Sequence, residues 1–281
     1  MNANSTPIDG TTRVYGIIGN PVSHSRSPAM HNRAFAELGE NRVYVPLPVT
    51  DVSAGVMGLR GLGLWGASVT IPHKEAVIPL LDYIDPVAAR IGAVNTIAVV
   101  ETADGRELHG SNTDWLGANR ALAEHVDLPG KRVVIVGAGG SARAIGFGLQ
   151  TRGAEVVLCS RTERRGRALA ADLDCPWYSL DQLDQLAGDV LLHATSVGME
   201  PNTGQSLVAI DLLARYRVVM DIVYAPLTTR LLAEAEAAGC ATVNGLEMLL
   251  YQGVAQFELW TGVAAPVEVM REVLMAGRTK K

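Results

Sequence analysis

Apolar residues recur along this chain at two alternating periods. Residues 13–19, RVYGIIG, form a short apolar run of strand length. Ser27 and Pro28 then read as the N-cap and first residue of a helix, with Met30, Ala34 and Leu38 on one face and Gly39 as its stop. RVYVPLPV (42–49) alternates apolar with polar or proline positions, the pattern of a strand near a sheet edge. GASVTIP (66–72) predicts a strand, and HKEAVIPLLDYI (73–84) a helix bent at Pro79. Asp85 and Pro86 start a short helix. AVNTIAVV (93–100) is a strand, paired with ELHGSN (107–112) across an Asp104–Gly105 turn.

The alternation continues more regularly beyond GSNTD (110–114). DWLGANRALAEHV (114–126) is an amphipathic helix that reads as a connector. KRVVIVGAGGSARAIGFGLQTRGAEVVLCSRT (131–162) is a strand–turn–helix–strand unit. DVLLHATSVGM, RVVMDIVYAP, TTRLLAEAEAAG and CATVNG carry further β–α alternation, and the segments from Gly245 onward are helical. The expected class is α/β with two domains and a cleft between them, the usual seat of a small ligand.

Composition changes this picture little. The 281 residues are 48% hydrophobic and 19% charged, enough apolar material for two cores. The net charge of −5 and the absence of any long like-charged block argue against a nucleic-acid surface, and the tail GRTKK is too short to alter that. Cys159, Cys175 and Cys240 lack metal-ligand spacing and read as small core residues or free thiols of a reducing compartment. His24, His73 and His193 are isolated, and no metal site is expected. The start, MNANSTPIDG, does not read as a signal peptide, and no apolar run approaches a membrane span, so a cytoplasmic location is expected.

The strongest chemical signal is VVIVGAGGSARA. Gly137, Gly139 and Ala142 fit G-x-G-x-x-G/A between a strand and a helix. Gly137 permits the tight turn, Gly139 lets a pyrophosphate approach the backbone, and Ala142 lets helix pack on strand. The amides at 139–141 then face a phosphate from a helix N-terminus. At the end of the next strand, where a carboxylate would accept from an NAD ribose, the chain has CSRTERR. Arg161 stands at that point, with Arg164 and Arg165 behind it. A guanidinium matches a 2′-phosphate, so the dinucleotide is read as NADP.

The other half offers Ser25, Ser27, Ser68, Thr70, Lys74, Asn95 and Asp114 at strand ends. Hydroxyls and amides suit a polyhydroxylated substrate. A lysine beside them can hold a carboxylate or give a proton to a carbonyl oxygen that gains charge as hydride arrives. Each also has a plain alternative. Ser27 and Asp114 can be helix caps, Asn95 a turn residue, and Lys74 a surface lysine, although a cation in a first helical turn opposes the dipole.

Nine segments in order, GNPVSHSRSPAMHN, SVTIPHKE, GAVNT, GSNTDWLG, GAGGSARA, SRT, ATSVGM, DIVYAPLTT and GLEMLLYQGVAQFELWTG, resemble the shikimate dehydrogenase family. The resemblance runs from residue 14 to about 275. It implies NADPH-dependent reduction of 3-dehydroshikimate to shikimate, in aromatic amino acid biosynthesis. It implies a substrate domain over 1–113, completed by C-terminal helices over 246–281, and a Rossmann-type NADP domain over 114–245, in a monomer or homodimer. It assigns Lys74 and Asp114 as the catalytic pair, with Lys74 the acid/base. Ser25 and Ser27 take the substrate carboxylate, Thr70, Asn95 and Gln252 the ring hydroxyls, and Tyr224 stands near the substrate. Gly137, Ala138, Gly139, Gly140, Ser141 and Ala142 form the diphosphate loop. Ser160, Arg161, Thr162 and Arg165 form the 2′-phosphate pocket. Thr195, Ser196, Met199, Ile222 and Gly245 line the nicotinamide side.

Two positions depart from the family's commonest pattern. Ser68 stands where Asn is usual, which opens a reading as a quinate/shikimate or aminoshikimate paralogue with broader substrate or NAD use. Ser160 stands where Asn is usual in NRT, on the adenine side. A catalytically silent dinucleotide-binding regulator is a third reading, disfavoured by the presence of both Lys74 and Asp114. If Arg161 meets the 2′-phosphate, Arg161→Ala raises KM for NADPH far more than for NADH; equal rises in steady-state kinetics would remove the assignment.

Overall fold

The computed structural model describes residues 8–103 and 105–276. Asp104 of the expected hairpin turn, the first seven residues and the tail GRTKK lie outside the described residues. The chain divides into two compact units, Met1–Thr113 with Gly253–Lys281, and Asp114–Gln252.

The first unit is built on one mixed sheet. Its elements run β1 (Arg13–Gly19), α1 (Ser27–Glu37), β2 (Arg42–Pro48), α2 (Val52–Gly61), β3 (Gly66–Val69), β4 (Tyr83–Ile84), α3 (Pro86–Ile91), β5 (Thr96–Thr102) and β6 (Gly105–Ser111). The strand order is β2-β1-β3-β5-β6-β4. β5 runs antiparallel to both its neighbours, and the other pairs are parallel. The proline-containing β2 lies at an edge, where missing backbone donors cost least. One face packs Ile18, Val56, Leu59, Val69, Val94, Ile97 and Leu108 into a core beneath α2 and α3.

Two local expectations are corrected here, and one helix, α2, was not expected. Residues 73–84 are not an α-helix. They form turns, a 3₁₀ segment Ile78–Leu80 and the short β4, because Pro72 and Pro79 leave too few residues between them to repay helix nucleation. The dipole argument about Lys74 therefore lapses. Ser27 is the first helical residue of α1 and not its cap; Arg26 holds the cap position without a side-chain bond, and the Ser27 amide donates to Ser25 Oγ at 3.3 Å. The helix α2, with three glycines, had only Asp51 as a start signal, and the Asp51 carboxylate does accept from the Ala54 amide.

The second unit is a wholly parallel sheet. α4 (Asp114–Ala123) leads into β7 (Arg132–Val136), α5 (Gly140–Thr151), β8 (Glu155–Ser160), α6 (Glu163–Asp172), β9 (Trp177–Ser179), β10 (Val190–His193), α7 (Ile210–Leu213), β11 (Val218–Asp221), α8 (Arg230–Ala237) and β12 (Ala241–Val243). The order β9-β8-β7-β10-β11-β12 is the doubly wound 3-2-1-4-5-6 arrangement, with its switch point between β7 and β10. The interior strand residues Val133–Val136 and Val190–His193 are buried, as a sheet covered on both faces requires. Cys159 and Cys240 are buried free thiols and Cys175 is partly covered; burial pushes the Cys159 and Cys175 thiols up to about 11.

Two helices end the described chain, α9 (Gly245–Thr261) and α10 (Val267–Ala276). The C-terminal half of α9 belongs to the first unit and covers its sheet beside α1. There Phe35, Tyr44, Phe257 and Trp260 surround His31, which is fully buried and stacked on Tyr44 with centroids 4.6 Å apart. Burial lowers the His31 pKa to about 3, and the Gln256 side chain beside it offsets this only in part. Above about pH 6.5 folded and unfolded forms are both neutral. Below it the unfolded chain binds a proton that the folded chain refuses until about pH 3, so stability falls as the pH is lowered across that window, by up to about 1.4 kcal/mol per unit. His31→Phe keeps the ring stack, and denaturant titrations from pH 7 to 4 should show a shallower loss for the variant; an unchanged slope would assign the acid sensitivity elsewhere.

Candidate active site

In the first unit the polar candidates gather where β1 and β3 end and β5 begins. Gly19 closes β1 against Thr70, whose Cγ2 would lie 2.3 Å from any Cβ at residue 19. The Thr70 amide donates to Ile18 O, and the Asn20 amide to Ile71 O. This seats the loop carrying half-buried Ser25 and buried Ser27 beside the loop carrying Thr70 and Lys74. The Lys74 carbonyl accepts from the Val94 amide at 2.8 Å, and Asn95 O accepts from Val69 N at 2.7 Å. Lys74 is thereby held one residue away from the Asn95 turn.

Asn95 is 2% exposed, and a directed chain of hydrogen bonds fixes it. Tyr44 Oη donates to Ser68 Oγ (2.7 Å), and Ser68 Oγ donates to Gln256 Oε1 (2.8 Å). Gln256 Nε2 donates to Thr96 Oγ1 (2.9 Å) and Asn95 O (3.2 Å). Thr96 Oγ1 donates to Asn95 Oδ1 (2.7 Å), while Asn95 Nδ2 donates to Thr113 Oγ1 (3.0 Å). Each hydroxyl spends its single proton on the next acceptor, so the polarity of the Asn95 amide is set. Burial pushes the Tyr44 phenol well above its ordinary range, which keeps it a donor. Tyr44, Thr96, Thr113 and Gln256 were absent from the sequence reading. Gln256 had one signal, its place a helical turn beyond Gln252 on α9.

Ser68 itself is buried, with both hydroxyl roles used inside the protein. The expected loss of an amide reaching substrate is therefore corrected: Ser68 supports Gln256 and Asn95.

The remaining catalytic and substrate candidates lie in the second unit. Asp114 opens α4 and is 6% exposed. Gln252 is buried, its amide donating to Leu249 O. Tyr224 is half-buried in the segment after β11.

The cofactor candidates line the C-terminal edge of the second sheet. Gly137 has φ +137°, and a Cβ there would sit 2.6 Å from Ala194 O, so this turn admits only glycine. Gly139 and Gly140 face open space, with no atom within 4 Å of an added Cβ. The first-turn amides of α5 lack helical acceptors. Ala142 is wholly buried against the strand layer. The loop is thus an open anion cradle that fits a dinucleotide diphosphate. Arg161, Thr162, Arg164 and Arg165 are exposed beyond β8, and among the described residues no ion pair engages these arginines. Ser160 differs: it is 4% exposed and its Oγ accepts from Trp177 Nε1 at 3.0 Å. It braces α6 from behind, and a side chain pointing toward a ligand is not what the structure gives it.

At the switch-point side, His193 and Asp221 are buried with Nδ1 and Oδ1 2.9 Å apart. Asp221 also accepts from Val223 N and Thr229 Oγ1, and His193 Nε2 lies 2.5 Å from Thr195 Oγ1. This array holds the TSVGM loop, on which Thr195 is half-buried and Ser196 and Met199 are exposed. Gly245 sits so close to the β11 segment that a Cβ would meet Ile222 O at 2.3 Å. Among the described residues no cluster of three or more metal-ligating side chains occurs, and no helix is long and apolar enough to cross a membrane.

The 3-2-1-4-5-6 sheet with its open glycine cradle defines a two-unit α/β protein of the doubly wound, dinucleotide-binding class. Comparison with known proteins narrows this. Residues 17–97 match the family model of the shikimate dehydrogenase substrate binding domain, and residues 245–275 that of the shikimate 5′-dehydrogenase C-terminal domain. A Moorella thermoacetica protein named shikimate dehydrogenase (NADP(+)) is 47% identical, covering 95% of this chain and 94% of its own length. A crystal structure of a shikimate dehydrogenase in complex with NADP⁺ superposes with TM-score 0.91 at 39% identity, covering 98% of this chain and 99% of the other. A quinate dehydrogenase from Corynebacterium glutamicum in complex with NAD gives TM-score 0.86 at 31% identity, over 94% and 99%. The chain belongs to the shikimate dehydrogenase family.

Ser68→Ala leaves the Tyr44 hydroxyl and Gln256 Oε1 buried and short of a partner, a loss of about 1–3 kcal/mol. Urea unfolding should register it, and Ser68→Ala should also raise KM for the substrate through a loosened Asn95. Full stability with unchanged KM would show the chain to be dispensable.

Proposed function

We propose that this protein is an NADP-dependent oxidoreductase that reduces 3-dehydroshikimate to shikimate. The observation that carries the reading is 47% identity, over nearly all of both chains, to a relative named shikimate dehydrogenase (NADP(+)). The site chemistry supports it. Reduction of a ring ketone needs a proton at the carbonyl oxygen, donors for a carboxylate and fixed partners for ring hydroxyls.

Lys74, on a loop pinned through Val94, gives its proton to the ketone oxygen, and Asp114 is its assigned acidic partner. Ser25 and Ser27 donate to the substrate carboxylate. Thr70, Asn95 and Gln252 bind ring hydroxyls, with Asn95 oriented by its buried chain and Tyr224 nearby. The residues 137–142 would hold the diphosphate of NADPH, Arg161, Thr162 and Arg165 its 2′-phosphate, and Thr195, Ser196, Met199, Ile222 and Gly245 its nicotinamide end. Bound there, NADPH supplies the hydride. A cytoplasmic location and a monomeric or homodimeric state belong to the same proposal.

A second reading, oxidation of quinate or an amino analogue, was motivated by Ser68. The engagement of Ser68 with Tyr44 and Gln256 weakens that motive. Initial rates with shikimate or quinate, each with NADP⁺ or NAD⁺, decide between them: turnover confined mainly to shikimate with NADP⁺ is expected, and comparable quinate turnover would favour the second reading. Ser68→Asn should leave the shikimate-to-quinate ratio of kcat/KM nearly unchanged. Lys74→Ala should lower kcat by about 10²-fold or more; retention within a few-fold would remove Lys74 as the proton donor.

A further inference from the structure

The first unit carries a cavity of about 310 Å³ that none of these roles uses. Strand register explains it. Tyr15 pairs with Gly66, Gly66 with Ala98, Ala98 with His109, and His109 with Tyr83. Directly paired residues share a face, so these five form one row across the sheet. The two central positions carry almost no side chain. At Gly66 none is admissible, since a Cβ would lie 2.7 Å from Trp260 Nε1. That indole is fixed by donation to Ile97 O at 3.0 Å and packs on Tyr15, centroids 5.2 Å apart. Tyr83 and His109, 4.9 Å apart, close the far side. Trp260, seated over Gly66, and His109 thus stand two strand spacings apart, about 10 Å between centres, with Ala98 as the open floor of a trough between aromatic walls.

The polar groups on this cavity are unevenly satisfied. The Asp85 carboxylate caps α3 by accepting from Val87 N and Ala88 N. His109 pairs with Glu107 at 2.9 Å. The Arg13 guanidinium lies 3.8 Å over the Trp65 ring and makes no ion pair among the described residues. Ser111, two residues beyond His109 on the same face, has a buried Oγ with no hydrogen-bond partner among the described residues. The cavity therefore presents flat aromatic walls and an uncommitted cation, while the Ser111 Oγ is buried behind its surface. Its volume is at the lower end for small-molecule sites, room for one or two rings. Its Arg13 end lies away from the serine loop, although at its other end the Ser111 carbonyl accepts from the Asn95 amide. Arg13 begins β1, whereas the serine loop follows its end at Gly19, about 20 Å along the strand.

We propose that this trough is a second binding site, for a small aromatic carboxylate. The ring lies over Ala98 between Trp260, which itself covers Gly66, and the Tyr83–His109 pair. The carboxylate meets Arg13.

The test is calorimetry on the full chain, with shikimate saturating and NADP⁺ left out so that no turnover occurs, using benzoate and indole-3-acetate against benzamide and indole-3-acetamide. Saturable 1:1 binding of the acids in the millimolar range or tighter is expected, with the amides at least tenfold weaker. Arg13→Gln should weaken the acids tenfold or more and leave the amides alone. Ala98→Leu fills the floor and should abolish binding of all four; its fold is checked by circular dichroism, and Arg13→Gln, at an exposed position, stands as a test without it. Binding is read directly and needs no turnover, so its failure is separable from failure of the dehydrogenase reading. No saturable binding, equal affinity for acids and amides, or displacement by raised shikimate would overturn the site. So would a dimer in sedimentation velocity that Ala98→Leu dissociates, which would make the trough an interface.

Discussion

Burial of polar side chains is the constraint on which the first unit turns. Ser27, Ser68, Asn95, Thr96, Thr113 and Gln256 are all nearly inaccessible, and an unsatisfied group in that setting costs more than a typical hydrogen bond returns. The directed chain from Tyr44 to Asn95 meets that cost with parts from β2, β3, α9 and the turns before β5 and after β6. Because donor and acceptor roles run one way, the chain also chooses an orientation for the Asn95 amide. A site that must tell a polyhydroxylated ring from its analogues gains from such fixed polarity, since a buried partner left unmatched rejects the wrong substituent.

The second unit solves a different problem, the close approach of backbones. Gly137 against Ala194 and Gly245 against Ile222 leave no room for a Cβ, while Gly139 and Gly140 leave room for a ligand. Between them the buried His193–Asp221 pair, with Thr229 and Thr195, ties the ends of β10 and β11 to the loops that follow. The same edge is thus tight where strands meet loops and open where a phosphate is to sit. Arg161, Thr162 and Arg165 extend the open part, whereas Ser160, one residue earlier, is turned inward to Trp177 by strand alternation and the packing of Gly166.

Where local chemistry governs, the sequence was legible. The alternation of strands and helices in the second unit, the glycine turn after β7, the Arg161 position and the Asp85 cap each follow from a few adjacent residues. Expectations failed where distant groups or competing signals governed. Residues 73–84 have helical apolar spacing, yet two prolines deny them a helix. Ser27 resembled a cap, yet Arg26 took the position. Ser68 looked like a shortened ligand contact, and only β2 and α9 show what it binds.

By itself the sequence determined the α/β class, the doubly wound second half and the family, because periodicity, glycine spacing and ordered motifs are properties of neighbours along the chain. The tertiary structure decided which hydroxyls face a ligand and which are consumed as supports. It also set the polarity of Asn95 and opened the trough over Ala98 beside Trp260. Those outcomes depend on register between strands far apart in sequence, such as Gly66 with Ala98 and Tyr44 near Ser68 and Gln256. A hydrogen bond or an empty volume of that kind exists only once the strands are paired.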